Sequence, residues 1–249
     1  MNFEDLHFGI CWAAGGVYGS AMLVMGLDTA LQRCSVAILR DGAVVGDQSA
    51  GMERGHAEHL APMAAKALDE AGVKIADLDR IGVVIGPGGF TGVRIALAFA
   101  RGLAIGTNIE IVGVTSLLAL AANADDAGPG DLIAPVIDAR RGQVYAALYD
   151  GNGQRLVEPF VTEPEKALEI LAVEAKAAPV ATIGSGAPLL PSPPAEWRQS
   201  AGFGEIDAKA VAALAAAAPA PAGPPSPLYL RPPDAKPPKP GVIPPACRK

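Results

Sequence analysis

The chain has 249 residues, of which 50% are apolar and 18% are charged, so its composition is that of a globular protein large enough for one large domain or two small ones. The 20 Lys and Arg residues against 26 Asp and Glu residues exclude a generally basic nucleic-acid-binding protein. The three cysteines are widely spaced and odd in number, which argues against a disulfide scaffold and against a Cys-based zinc site.

The two ends of the chain differ from its middle. Residues 1–21 show no clear period, and we expect them to form an extension outside the fold, with an added edge strand as the alternative. Glu4 and Asp5 stand where a secretion signal needs basic residues, and Gly or charged residues interrupt every long apolar stretch. We therefore expect a cytoplasmic protein without membrane contact. Prolines fill the other end, which predicts extended chain with a Pro-rich tail over 232–249.

The first half of the fold predicts a meander of three antiparallel strands followed by alternating helices and strands. Asp41-Gly42 is a strong hairpin signal, Gly72 is placed to end the first helix, and 86–92 is a glycine-rich loop. Predicted strands are 23–27, 34–39, 43–49, 81–85 and 111–114, and predicted helices are 57–71, 91–105 and 116–124.

The second half repeats this order. Predicted strands are 132–138, 144–149, 154–160 and 179–183; predicted helices are 163–172, with Thr162 as its N-cap, and 206–218. Two halves with one order indicate a duplicated α/β unit of the ribonuclease-H type. We expect a first subdomain at 22–125 and a second at 126–231, with the short motif 227–231 ordered.

Asp28 and Thr29 follow the first strand, where phosphotransferases of this architecture hold a metal ion and turn around a phosphate. Such a turn favours glycine, because backbone N–H groups must approach the anion. The turn here contains no glycine and carries Leu31. The alternative is that Asp28 and Thr29 only cap a hairpin.

The glycine-rich loop precedes a helix whose N-terminal N–H groups could bind an anion. No lysine follows at P-loop spacing, and Arg94 is the nearest cation. The loop is therefore either an anion site or a tight turn from strand to helix.

Other polar groups offer weaker signals. His56 and His59 do not have the spacing of a zinc pair, and too few histidines are present for a nucleophile set, so we predict no metal site and no catalytic residues. Asp138 lies at the mirror position of Asp28 and could serve a phosphotransferase. The adjacent Arg140 and Arg141 could instead contact a partner or an RNA phosphate, and the alternative is that the segment is only a solvated turn.

The ordered motifs Met22–Ala30, His56–Pro62, Gly86–Ile95, Gly113–Leu117, Asp138–Gly142 and Leu228–Arg231 resemble the TsaB (YeaZ) family over about residues 22–231. The resemblance implies the actin-like ATPase (ASKHA) fold with two ribonuclease-H-like subdomains. The motif residues that carry it are Asp28, Thr29, His56, Gly86, Pro87, Gly88, Phe90, Thr91, Gly92, Arg94, Asp138 and Arg140. Gly89 and Gln143 depart from the family, where serine and glutamate are usual.

The resemblance also implies a function. Family members are non-catalytic subunits of the bacterial threonylcarbamoyltransferase complex, which forms N6-threonylcarbamoyladenosine beside the tRNA anticodon. The implied partners are TsaD and the ATPase TsaE, or a second copy of the chain when it is alone. ATP and metal are expected in those partners and not in this chain, and tRNA contact is expected only through the complex.

The two helices 57–71 and 91–105 are the predicted partner surface, because both are rich in small residues on more than one side. A partner's equivalent pair would complete a four-helix bundle. The predicted contact residues are Ala61, Ala64, Ala65, Lys66, Val93, Leu97 and Ala100. Two other functions stay open: an ATP-dependent small-molecule kinase of the same fold, and a metallopeptidase-like protein related to the glycoproteases.

Overall fold

The computed structural model describes residues 22–128, 130–202 and 204–231. The predicted extension over 1–21 and the predicted tail over 232–249 lie outside these residues. No helix within the described ranges is long and apolar enough to cross a bilayer.

The first half contains a five-stranded sheet with the order β3-β2-β1-β4-β5. β1 is buried along its whole length, because β2 and β4 pair with its two edges and helices cover both of its faces. Its strands are β1 (Leu23–Asp28), β2 (Arg33–Arg40), β3 (Ala43–Gly51), β4 (Arg80–Val84) and β5 (Glu110–Val114). Its helices are α1 (His56–Ala71), α2 (Phe90–Ala104) and α3 (Ser116–Ala121), and Ile75–Asp77 forms a 3₁₀ turn.

Local sequence signals explain the turns of this half. Asp41 and Gly42 both adopt positive φ, as a two-residue hairpin requires. Gly72 ends α1 in the left-handed conformation, and its N–H donates to the carbonyl oxygens of Leu68 and Asp69. The predictions for this hairpin and this helix end are confirmed.

The second half contains another five-stranded sheet, with the order β10-β9-β6-β7-β8. The strands are β6 (Leu132–Arg140), β7 (Gln143–Tyr149), β8 (Arg155–Thr162), β9 (Val180–Ile183) and β10 (Trp197–Gln199). The helices are α4 (Pro164–Ala175) and α5 (Ala208–Ala217), and Ala187–Leu189 forms a 3₁₀ turn. In both halves a meander continues into parallel strands on the side of its first strand. This repeated order confirms the duplicated ribonuclease-H-like unit and the actin-like ATPase fold.

The last helix does not stay with the second sheet. α5 packs against β1, β2 and β4 of the first sheet, on the face opposite α1 and α2. Gly26 and Gly82 make this contact possible, since a Cβ on either residue would overlap the α5 backbone. The division at residue 126 stays a prediction, but packing places this helix in the first half.

Two local predictions are wrong. Glu163, and not Thr162, is the N-cap of α4, and its side chain makes no capping hydrogen bond. Pro164 takes the first helical position, which suits proline because its φ is already helical. The short edge strand β10 is missing from the predicted strands. It pairs only with β9, and three residues carry too little periodicity to reveal a strand.

Candidate functional site

A cleft of about 760 Å³ lies between the two halves of the fold. One wall comes from the turn between β1 and β2 and from the glycine-rich loop. The other wall comes from the turn between β6 and β7 and from the loop after β9. The lining residues that bear charge are Arg33, Arg140, Arg141, Arg231, Asp138 and Glu205.

Asp28, the first candidate for a nucleotide-handling group, is fully buried. Its Oδ1 accepts a hydrogen bond from the Ala30 N–H at 2.8 Å, and its Oδ2 has no partner within the described residues. Burial raises the pKa of Asp28 to about 7, although the hydrogen bond from Ala30 opposes the change. Asp28 is not part of the cleft lining. This position matches the alternative that Asp28 caps a hairpin, because its carboxyl group accepts a hydrogen bond from the turn that directly follows it.

The neighbouring thiol shares this buried environment. Cys34 is a free, buried cysteine on β2, and burial together with the nearby Asp28 carboxyl raises its pKa to about 11. A thiol with a raised pKa is a weak nucleophile near neutral pH. The pair Asp28 and Cys34 therefore forms part of the core at the end of β1.

The glycine-rich loop is packed against the turn that follows β1. The Thr29 hydroxyl donates to the Gly92 carbonyl oxygen at 2.7 Å, and the Gly89 N–H donates to the Ala30 carbonyl oxygen at 2.7 Å. A Cβ on Gly88 would lie 2.6 Å from the Ala30 carbonyl oxygen, and a Cβ on Gly92 would overlap the Thr29 carbonyl group. The chain's own backbone therefore lies against the loop where these two Cβ atoms would project. The tight-turn alternative describes this loop.

An exposed aromatic pair lies at the start of α2. The rings of Phe90 and Tyr229 stack with their centroids 5.4 Å apart, and their exposed fractions are 55% and 48%. The Arg94 Cζ lies 3.6 Å from the Phe90 ring centroid, and its Nε–H donates to the Tyr229 hydroxyl at 2.7 Å. The guanidinium group thus fixes both rings.

Tyr229 belongs to residues 225–231, which we call the strap. The Arg101 guanidinium donates to the Pro225 carbonyl oxygen, and the Leu228 N–H donates to the Ile85 carbonyl oxygen at 2.8 Å. At its end, Arg231 donates to the Gln143 Oε1 at 2.6 Å. The strap therefore connects the first half to β7 beside the cleft. The prediction that residues 227–231 are ordered is confirmed. Sequence reasoning missed this role of Tyr229, although the Leu-Tyr-Leu-Arg motif marked the segment.

The turn between β6 and β7 projects arginines at the cleft. Arg140, Arg141 and Gly142 all adopt positive φ, a conformation that non-glycine residues rarely take. Asp138 accepts from the Arg140 N–H at 2.7 Å and pairs with its guanidinium at 3.6 Å. Across the cleft, Arg33 pairs with Glu205 at 3.3 Å. The structure therefore brings Asp138 and Arg140 to the cleft that the Asp28 turn also borders.

His56 and His59 lie in different environments near the start of α1. His56 is buried, and its Nε2 has no hydrogen-bond partner in the described part of the chain. His59 is exposed on the same helix. No group of three or more His, Cys, Asp or Glu side chains suited to a metal ion occurs among residues 22–128, 130–202 and 204–231.

The structure corrects the predicted partner surface. Ala64 of α1 and Val93, Leu97 and Ala100 of α2 are buried in the first core, so they cannot offer free apolar surface. The helical period alone could not tell which side of these small-residue helices covers the sheet. Ala61, Ala65 and Lys66 are exposed. Their contact with a partner stays a prediction.

The outward surface of these helices includes several small residues beside charged ones such as Glu58, Lys66 and Arg101. We call the small residues and Ile105 the helix-pair face, and it consists of Ala57, Ala61 and Ala65 of α1 together with Ala98 and Gly102 of α2 and Ile105. Ala57, Ala61 and Ala65 are spaced by four and share one side of α1. Ile105 is 80% exposed, so this face includes one large apolar side chain in contact with solvent.

Comparisons with known proteins agree with this geometry. A family model described as "TsaD: tRNA N6-adenosine threonylcarbamoyltransferase" matches residues 49–217. The tRNA threonylcarbamoyladenosine biosynthesis protein TsaB of Escherichia coli (strain K12) is 37% identical over 137 residues, or 53% of this chain and 58% of that protein. TsaB of Bacillus subtilis (strain 168) is 37% identical over 128 residues, or 51% of this chain and 55% of that protein. The chain thus spans a little over half the length of these two relatives.

A solved structure extends the similarity. The structure described as YeaZ from Pseudomonas aeruginosa superposes with a TM-score of 0.66 at 32% sequence identity, covering 78% of this chain and 90% of that one. This match takes in most of both halves, including sequence beyond the range shared with the two TsaB proteins.

Proposed function

The chain belongs to the TsaB (YeaZ) family, and from this membership we propose that it is a non-catalytic subunit in tRNA threonylcarbamoyladenosine biosynthesis. In this proposal it binds and activates a TsaD protein, with TsaE joining the complex, in the cytoplasm. A second copy of the chain takes TsaD's place when the chain is alone. ATP and metal are bound by the partners.

The observation that carries the proposal is the packing of the glycine-rich loop against the turn that follows β1. Phosphate-binding loops work because backbone N–H groups surround empty space that an anion can enter. Here the Ala30 carbonyl oxygen accepts a hydrogen bond from the Gly89 N–H. The Thr29 carbonyl group occupies the place that a Cβ on Gly92 would take. A carbonyl oxygen in that position repels a phosphate. The loop therefore serves packing, and not nucleotide binding.

The buried carboxyl group supports the same proposal. A carboxylate that holds a metal ion beside a phosphate must be charged and must reach the ligand. Asp28 is fully buried with its pKa raised to about 7, and it lies behind the wall of the cleft. The glycine-rich loop and the Asp28 carboxyl group, which would mark a working phosphotransferase, thus make contacts within the fold instead.

The helix-pair face is the proposed partner surface. α1 and α2 contact each other and cover the same face of the first sheet, so their outward sides form one surface. Alanine and glycine let a second helix pair approach closely, and Ile105 supplies a large side chain for burial. A partner with an equivalent pair of helices would complete a four-helix bundle.

The proposal is tested by reconstitution with the TsaD and TsaE proteins of the same organism. We expect tRNA modification to require this chain, and the chain alone to hydrolyse no ATP. Asp28→Ala serves as the control for a kinase. Saturable ATP hydrolysis by the pure chain that Asp28→Ala abolishes would favour the kinase, and full tRNA modification without the chain would contradict the proposal.

A further inference from the structure

We propose that this chain itself binds the RNA backbone at the mouth of the cleft, through Arg140, Arg141 and Arg231, with the Tyr229 and Phe90 pair stacking on a base. The inference rests on the proposed function, which makes tRNA the substrate of the complex. It goes beyond that function, because it gives the non-catalytic chain a direct contact with the substrate.

The charge distribution is the first argument. The chain as a whole is acidic, with a formal net charge of −6. The cleft lining is instead positively charged, because it contains four arginines and only two carboxylates. Arginine is suited to phosphate, since its planar guanidinium donates two parallel hydrogen bonds to one phosphate group. A cationic cleft on an acidic protein concentrates phosphate at one place.

The position of the arginines favours a polymer backbone over a nucleoside triphosphate. A triphosphate needs a backbone cradle and a carboxylate for its metal ion, and both are used inside the fold at Gly89 and Asp28. The Arg140 side chain is instead 71% exposed, at the outer edge of the cleft. An exposed guanidinium reaches phosphates that pass across the mouth.

The paired acids do not prevent this contact. Asp138 pairs with Arg140 at 3.6 Å and Glu205 pairs with Arg33 at 3.3 Å. Both pairs are solvent-accessible, and such ion pairs contribute little to stability. A phosphate can therefore replace the carboxylate as the guanidinium's partner at small cost.

The aromatic pair is the second, independent argument. Phe90 directly follows Gly89 of the cleft lining, and Tyr229 precedes Arg231 of that lining by two residues, so each ring is a near neighbour in sequence of a lining residue. Only 5% of the residues are aromatic, yet two of them stack in solvent here, fixed by Arg94. Exposed aromatic rings beside cations are the usual platform for an unstacked RNA base.

The test is fluorescence anisotropy of the full chain with a labelled RNA stem-loop over a series of salt concentrations. Arg140→Gln/Arg141→Gln removes two cleft cations. The matched control, Arg155→Gln/Lys166→Gln, removes two exposed cations from β8 and α4 and changes the net charge equally. Tyr229→Ala removes one stacking ring and its hydroxyl contact with Arg94, and it changes no charge. Circular dichroism confirms that each variant is folded.

We expect the parent to bind RNA and Arg140→Gln/Arg141→Gln to bind at least ten-fold more weakly at low salt. The slope of log K against log salt should fall in magnitude by about 1.4 to 1.8, as the loss of two phosphate contacts predicts. Tyr229→Ala should weaken binding about five-fold or more without changing the slope. The RNA affinity of the control variant Arg155→Gln/Lys166→Gln should stay within about two-fold of the parent's. We expect this because the location of the charges, and not their number, decides binding.

No RNA binding by the parent, or an equal loss in the control pair, would overturn the inference. Tight binding of ATP at the cleft without RNA binding would overturn it as well. If RNA binding fails while tRNA modification still requires the chain, this inference is wrong and the proposed function stands. If modification does not require the chain, the proposed function fails first.

Discussion

The Thr29 hydroxyl donates to the Gly92 carbonyl oxygen at 2.7 Å, while the Thr29 carbonyl group fills the place that a Gly92 side chain would take. This double contact locks the turn after β1 to the start of α2. It converts two elements that could surround a phosphate into one packed unit.

This contact predicts the effect of Gly92→Ala. The added Cβ meets backbone, which cannot rotate away as a side chain could, so we expect a loss of about 3 kcal/mol in the free energy of unfolding. Gly102→Ala is the control on the same helix, since a Cβ there meets nothing within 4 Å. It should raise stability by about 0.5 to 1 kcal/mol, because alanine favours helix. Urea unfolding of both variants measures the difference, and equal effects would contradict the packing.

Asp28 predicts a pH dependence of stability. Its pKa is raised from 3.8 to about 7 in the folded chain, so the folded state holds this proton while the unfolded state loses it. Stability from this group is therefore full below about pH 4 and declines by about 4 kcal/mol as the pH rises to about 7. Asp28→Asn removes the decline and keeps the acceptor for the Ala30 N–H.

The measurement is urea unfolding of the parent and Asp28→Asn between pH 4.5 and pH 8. The stability of Asp28→Asn relative to the parent should rise across this range. Parallel stability profiles for the two proteins would show that Asp28 is already charged in the folded state.

We expect substitution of Arg80 to lower the free energy of unfolding substantially, although Arg80 is not part of the cleft lining. Its buried guanidinium donates to the Ala215 and Ala218 carbonyl oxygens at 2.8 and 2.7 Å, at the end of α5, and it also pairs with Glu110. Arg80→Met leaves these helix-end carbonyl groups without a donor, and we expect a loss of about 3 kcal/mol. Arg155→Met, which breaks an exposed ion pair with Glu158, should change stability by less than about 1 kcal/mol. Similar losses in the two variants would show that Arg80 contributes only as a surface charge does.

The sequence predicted most elements of the fold because they depend on local signals. The Asp41-Gly42 hairpin and the Gly72 helix end follow from the backbone preferences of these residues. The orientation of α1 and α2 did not follow, because alanine occurs on both their buried and exposed sides. The contact of Arg80 with α5 joins residues 135 or more apart, and no local pattern encodes such a pair.

The candidate site was predictable only in part. The loop at 86–92 was identified, and its competing explanations stayed open, because the same glycines serve an anion or a close backbone contact. Only the position of the Ala30 carbonyl oxygen distinguishes them. Phe90 and Tyr229 meet only because the strap returns to α2. The prolines that precede the strap predict extended chain, and they do not reveal where that chain packs.

The most direct test of the central claim places negative charges on the helix-pair face and measures threonylcarbamoyladenosine in tRNA by mass spectrometry. The reaction contains TsaD, TsaE and either Ala61→Glu/Ala98→Glu or the control Ala177→Glu, which lies on the exposed surface of the second half. The account predicts at least a ten-fold loss of product with the double variant and full product with the control. Undiminished product with a folded Ala61→Glu/Ala98→Glu chain would contradict it.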